Sequence, residues 1–398
     1  MSWAGPFQYD LGKSRTSNAG AAPAPDVQYA PDAPILLCLS HLRWSFVYQR
    51  PQHLMARFAR DYPVFFFEEP IASDEPRPWL ETRREEGGVE VLVPRLPHGW
   101  AGREAEQAQR ELLDSFLAER GRGRLILWYY TPMSLAFTEH LKADAVVYDC
   151  MDELSAFRGA PPELVTRERE LLARADLVFT GGYSLYEAKR ELHANAHPFP
   201  SSVDIAHFGA ARDPQPDPTD QAPIGHPRLG FYGVIDERFD IELLAAIAER
   251  RPDWQFVMIG PVVKIDPASL PQRPNVHFLG GKVYDELPQY LAGWEVALMP
   301  FALNESTRFI SPTKTPEYLA GGCPVVSTPI TDVVRTYGDS GVVRIAGSAD
   351  EFVDACEAAL RDAADRDRLL RTADAVLADM SWDTTWAQMK EKIECAMN

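Results

Sequence analysis

Short, unbroken apolar runs recur along this chain, and most are followed by a loop and a segment of helical period. Pro34-Ile-Leu-Leu-Cys-Leu-Ser40, Pro63-Val-Phe-Phe-Phe-Glu-Glu69, Arg124-Leu-Ile-Leu-Trp-Tyr-Tyr130, Ala145-Val-Val-Tyr-Asp149 and Leu177-Val-Phe-Thr-Gly181 form one series. Arg228-Leu-Gly-Phe-Tyr-Gly-Val-Ile235, Gln255-Phe-Val-Met-Ile-Gly-Pro261, Val276-His-Phe-Leu-Gly280, Val296-Ala-Leu-Met-Pro-Phe301 and Pro324-Val-Val-Ser-Thr328 form a second. A run without polar alternation is a strand buried on both faces, and strands alternating with helices make a parallel sheet covered by those helices. The chain is therefore an α/β protein with two βα domains. Between the series, residues 209–227 are rich in Pro, Asp and small residues, the composition of a linker. The boundaries expected are an arm at 1–33, a first domain at 34–208, the linker at 209–227, a second domain at 228–380, and a terminal amphipathic helix at 381–398.

The 398 residues suffice for two domains. A formal net charge of −18 argues against a nucleic-acid partner, whose phosphates would be repelled. Five cysteines, an odd number with no C-x-x-C pair, read as free thiols in a reducing compartment. No signal peptide and no apolar run of membrane-spanning length is visible, so the expected location is the cytoplasm, with peripheral membrane association left open. His193 and His197 have the spacing of a helical metal pair, but Pro198 follows at once and no third ligand is patterned nearby, so no metal site is expected.

Ligands of such sheets bind beyond the carboxyl ends of the strands. In the first series, the loop after the first strand carries His41, Trp44 and Arg50, an aromatic and cationic set suited to a cleft. Asp149, Asp152 and Glu153 follow the strand Ala145–Asp149; carboxylates this close raise one another's pKa values, which suits a general base. The bland alternatives are that Asp149 caps a turn and Asp152 a helix. In the second series, Gly233 gives the backbone close access to a ligand. The stretch Ser311-Pro-Thr-Lys-Thr-Pro-Glu317 reads as a loop opening a short helix, with Thr315 as its cap, Pro316 in its first turn and Glu317 just behind. Ser311, Thr313 and Lys314 suit an incoming diphosphate, and the Glu317 carboxylate can accept two hydrogen bonds from a vicinal diol. Phosphates beside a ribose diol spell a nucleotide.

The stretch from Glu317 through Gly322-Cys-Pro-Val-Val-Ser-Thr328 resembles the donor-binding segment of GT-B glycosyltransferases, the group 1 or glycogen-synthase-like superfamily. Trp44 through Arg50-Pro-Gln-His53 resembles a subgroup of bacterial polysaccharide glycosyltransferases, including teichuronic-acid-type enzymes, and Pro200-Ser-Ser-Val-Asp-Ile-Ala-His-Phe208 is similar to the segment that closes the family's first domain. The resemblance implies two Rossmann-like domains facing a cleft, with the last helix crossing back to the first domain. It implies transfer of a sugar from a nucleotide-diphosphate-sugar, a UDP-sugar, to a glycan, lipid-linked or small-molecule acceptor, with no metal or other cofactor required. It assigns Glu317 to the ribose, Arg238 and Lys264 to the diphosphate, Val283 and Tyr284 to the nucleobase, and Asp152 to the acceptor as base if the enzyme inverts. His41, Trp44, Arg50 and Asp149 fall on the acceptor side. Many members carry a second Glu eight positions before the ribose one; this chain has Phe309 there, so sugar contacts must come from elsewhere, with the Ser311–Lys314 loop a candidate. A nucleotide-sugar 2-epimerase of the same fold, or a degenerate glycosyltransferase serving as a partner subunit, stays open as an alternative. An oxidoreductase does not, because no G-x-G-x-x-G follows a strand.

Overall fold

The computed structural model describes residues 29–397 apart from Pro31, Glu86 and Arg122; most of the expected arm at 1–33 lies outside the described residues. The chain divides into two compact units. One comprises residues up to Gly181, Leu185–Phe199 and the chain from Trp386; the other comprises Gly182–Ser184 and Pro200–Thr385.

Among the described residues the first unit is built on a nine-stranded sheet. Its strands are β1 (Ile35–Leu39), β2 (Val64–Phe67), β3 (Ile71–Ser73), β4 (Trp79–Arg84), β5 (Glu90–Pro97), β6 (Leu125–Tyr129), β7 (Ala145–Cys150), β8 (Leu177–Thr180) and β9 (Ala196–Pro198). The order is β3-β5-β2-β1-β6-β7-β8-β9, parallel except for β4, which runs antiparallel on β5. The polar edge strand β4 lacks an apolar run and is invisible to hydrophobic patterning. The central strands are buried almost throughout, as both-face coverage requires. Neighbouring strands leave β1 in opposite directions, toward β2 and β6, so the loop after β1 sits at a topological switch point.

The last helix, Trp382–Ala396, enters the first unit at Trp386. Trp386 meets Phe58 edge-on, Lys390 lies 2.7 Å from Asp61, and the Tyr62 hydroxyl donates to Glu394 at 2.9 Å. Met389 and Ile393 are fully buried. The terminal helix thus returns to the first βα unit.

The second unit has a six-stranded, all-parallel sheet among the described residues: β10 (Arg228–Tyr232), β11 (Gln255–Ile259), β12 (Val276–Phe278), β13 (Val296–Met299), β14 (Val325–Ser327) and β15 (Val343–Ile345). The order β12-β11-β10-β13-β14-β15 puts its switch point between β10 and β13. Phe208 belongs to this unit's core, so the Pro200–Phe208 segment, expected to close the first domain, packs with the second. Residues 209–227 are also docked there: Gln221 is buried, and Asp217 pairs with Arg228 at 2.8 Å.

Candidate active site

The second unit gathers its candidates on the loops leaving the carboxyl ends of β10, β11, β12 and β13, and on the helix Lys314–Ala320. Tyr318 anchors that helix: its hydroxyl accepts from the Tyr232 amide at 3.0 Å at the end of β10. The helix starts two residues earlier than the sequence suggests, with Thr313 as cap, and Thr315 is buried inside the first turn. Pro316 is tolerated because the first turn has no backbone donor to satisfy. Ser311 and Thr313 are half-buried in the loop ahead.

Gly233 follows β10 at φ 148°, a region that side chains avoid. A Cβ there would lie 2.2 Å from Cε of Lys314, so the lysine stem passes directly over the glycine backbone. Its ammonium group lies 6.0 Å from the Phe231 ring centroid. Gly233→Ala is expected to strain the backbone and push Lys314 aside, at a cost of about 1–3 kcal/mol. A fall of several degrees in melting temperature, with the Lys314 stem displaced in a crystal structure, is the measurement; an unchanged melt would sink the steric argument.

Glu317 is 8% exposed. Burial pushes its carboxyl up to about 7, while the Lys314 charge and the polar groups of Tyr232 and Thr313 pull the other way. Arg238 is held in a two-pronged pair with the Asp236 carboxylate, with contacts of 2.7–3.2 Å. Lys264 sits at φ 58° and lies 3.9 Å from Glu237, and desolvation lowers its pKa. Val283 is exposed, and the Tyr284 ring stacks on His207 at 4.1 Å and 7°. That stack, joining residues 77 positions apart, is not visible in the sequence.

In the first unit the carboxylates after β7 have separate fates. Asp149 is fully buried and takes two hydrogen bonds, at 2.8 and 2.9 Å, from Arg50, whose third nitrogen donates to the Phe199 carbonyl at 2.7 Å. Burial raises the Asp149 pKa despite Arg50. The expected cause, repulsion between neighbouring carboxylates, is replaced by desolvation. Arg50 and Asp149, expected on the acceptor side, form an interior ion pair tying the helix Arg50–Phe58 to β7. Glu153 pairs with Lys189 at 2.7 Å, and Lys189 also holds Glu168 at 2.7 Å. Sequence reasoning missed Lys189, because a helical lysine gives no sign of a buried partner. Asp152 is half-buried in the bend between β7 and the turn Leu154–Ala156. His41 is buried, and Trp44 packs edge-on to Phe66 while its backbone amide donates to Glu68 at 2.8 Å.

Among the described residues no three His, Cys, Asp or Glu side chains cluster as a metal site, and no helix is long and apolar enough to cross a membrane. The described cysteines are all unpaired.

Residues 226–362 match the family Glycosyl transferases group 1. The chain is 27% identical over 267 residues to the putative teichuronic acid biosynthesis glycosyltransferase TuaH of Bacillus subtilis strain 168, a match covering 63% of this chain and 67% of that protein. Its fold is similar to that of sucrose-phosphate synthase from Thermosynechococcus elongatus, with TM-score 0.69 and 16% identity over 90% of this chain and 98% of the other. Anabaena HepE, solved in complex with UDP, matches with TM-score 0.63 and 14% identity over 91% and 100%. An E. coli trehalose-6-phosphate protein bound with UDP-2-fluoro glucose matches with TM-score 0.65 and 13% identity over 90% and 99%. The family match falls on the sheet that carries Gly233, Lys314 and Glu317, and both βα units follow the two-domain architecture of the structural neighbours: the chain is a glycosyltransferase of the GT-B fold, with its group 1 match lying in the second unit.

Proposed function

We propose that the second unit binds a UDP-sugar and that the enzyme transfers the sugar to a glycan or lipid-linked acceptor. One observation carries this reading: Glu317, a buried carboxylate, stands beside Lys314 where that lysine crosses the bare backbone of Gly233. A carboxylate accepts from the ribose diol, and the adjacent ammonium meets the diphosphate. The UDP and UDP-2-fluoro glucose in two structural neighbours support the choice of base. Arg238, held by Asp236, and Lys264 add positive charge for the departing diphosphate, which we assign to these side chains rather than to a metal ion. Ser311 and Thr313 contribute hydroxyls to the same loop, and Val283 and Tyr284 flank the base. In an inverting reaction the acceptor oxygen attacks the anomeric carbon, the bond to the diphosphate breaks with its electron pair leaving on UDP, and Asp152 takes the acceptor proton. In a retaining reaction Asp152 binds acceptor only. His41 and Trp44 fall on the acceptor side, and the free thiols fit a cytoplasmic setting.

UDP at a hundred times its Kd should stabilise the protein by about 2.7 kcal/mol. The melting shift is expected to disappear in Lys314→Ala at the same UDP concentration. No shift with UDP in the wild type rejects the reading. A shift retained in Lys314→Ala removes that lysine from the diphosphate. Tight UDP-sugar binding without transfer or hydrolysis would instead favour the degenerate-subunit alternative, which the replacement of a carboxylate by Phe309 motivates.

A further inference from the structure

We propose that Glu237 is the carboxylate that receives the donor sugar's hydroxyls in this chain, in place of the one absent at position 309. The inference rests on the UDP-sugar reading above and concerns the sugar end of the same site. The Glu237 side chain is 8% exposed, and neither carboxylate oxygen accepts a hydrogen bond. A buried carboxylate in that condition is costly and calls for an explanation. Its ion partner, the Lys264 ammonium, stands 3.9 Å away, beyond hydrogen-bond reach. Lys264 is the one non-glycine residue with positive φ among the described residues, a strained backbone of the kind that gathers at ligand sites.

Three loops converge on Glu237. Asn304 donates to its carbonyl at 3.0 Å, and the Ala302 amide donates to Arg238 at 2.8 Å, sewing the loop after β10 to the loop after β13. The Val263 amide donates to Ile235 at 2.9 Å, adding the loop after β11. Phe309 lies on the loop after β13, half-buried with the Arg308 guanidinium 5.0 Å from its ring centroid, and accepts nothing from a hydroxyl. The carboxylate lost from that loop is thus matched by an unsatisfied one on the loop stitched to it. Two acceptor oxygens suit a pair of sugar hydroxyls. They do not suit a phosphate, which they would repel. The neighbouring Asp236 carboxylate is already occupied by Arg238.

The test is calorimetric titration of wild type, Glu237→Gln and Glu237→Asp with UDP, UDP-glucose, UDP-galactose, UDP-N-acetylglucosamine and UDP-glucuronic acid. The readout is the Kd of the preferred UDP-sugar divided by the Kd of UDP. Losing a hydrogen bond to a charged group should worsen that ratio about tenfold or more in Glu237→Gln, with the Kd of UDP held within about threefold. Glu237→Asp keeps the charge but retracts it by one methylene; it is expected to lose the same ratio, and it carries the test if the Gln variant does not fold. A ratio unchanged in both variants, or UDP and UDP-sugar weakened equally, overturns the inference. So does a wild type that binds UDP but none of the four UDP-sugars. A wild type that does not bind UDP at all fails at the earlier step, the UDP-sugar reading itself.

Discussion

Glu317→Gln is expected to make the ligand-free protein more stable above pH 7 and to weaken its hold on UDP. The folded carboxyl titrates at about 7 against 4.5 for an ordinary one. Between those values the native state binds more protons than the unfolded chain, so stability falls as pH rises through that window. The favourable neutral form is fully present below about 4.5, and the loss is complete somewhat above 7. The span corresponds to roughly 3 kcal/mol. Gln has the neutral shape at every pH, so the variant should match the wild type near pH 4.5 and exceed it at pH 8, by roughly 6–12 °C for a unit of this size. The same change removes one acceptor oxygen and the charge proposed to receive the ribose diol. UDP affinity at pH 8 should drop by about 2 kcal/mol, some thirtyfold. Wild-type affinity should also decline below pH 7, because the proton and the diol compete for the same oxygens; the difference from the Gln profile isolates this carboxyl from the nucleotide's own titration. Equal melting temperatures at pH 8 would show that the carboxylate is not desolvated. Unchanged UDP affinity would take Glu317 out of the ribose role. A residue that costs stability in the empty protein and repays it only with ligand is what a preorganised binding carboxylate requires.

Much of this site was legible because its parts are close in sequence. Gly233 and Arg238 follow one apolar strand, and Lys314, Pro316 and Glu317 share one loop–helix junction. The strands were legible because burial on both faces leaves uninterrupted apolar runs, as in Ile35–Leu39 and Val296–Met299. What stayed hidden depends on distant partners. Arg50 and Asp149 are 99 residues apart, and in sequence each looked like a ligand-edge charge. Glu237 sat unnoticed between Asp236 and Arg238, since only the folded loops show that its neighbour's carboxylate is hydrogen-bonded and that of Glu237 is not. The exact start of the helix at Lys314 also escaped, because Thr313 and Thr315 are equally good caps by type.

The second large effect concerns that hidden pair. Arg50→Met is expected to destabilise the first unit by about 3–5 kcal/mol at neutral pH, because it leaves the Asp149 carboxylate buried without a counter-charge. Burial already raises the Asp149 pKa with Arg50 present, and removing the guanidinium raises it further. A carboxyl with a raised folded pKa contributes stability below its unfolded value and loses it as pH rises. The variant should therefore recover as the pH falls and Asp149 takes up its proton, and lose most at pH 8. Asp149→Asn should be costly at every pH, since it strands the permanently charged arginine. The double change Arg50→Met with Asp149→Leu removes both charges and should restore most of the loss, as replacement of a buried ion pair by apolar side chains often does. Urea denaturation of the three variants at pH 5 and pH 8 checks the pattern. An Arg50→Met protein as stable as the wild type at pH 8 would return Arg50 and Asp149 to the acceptor side. The expected pattern instead makes the Arg-Pro-Gln-His segment a structural clamp, in which Arg50 positions the loop after β1 and the neighbouring His41 and Trp44 are left as its acceptor-side candidates.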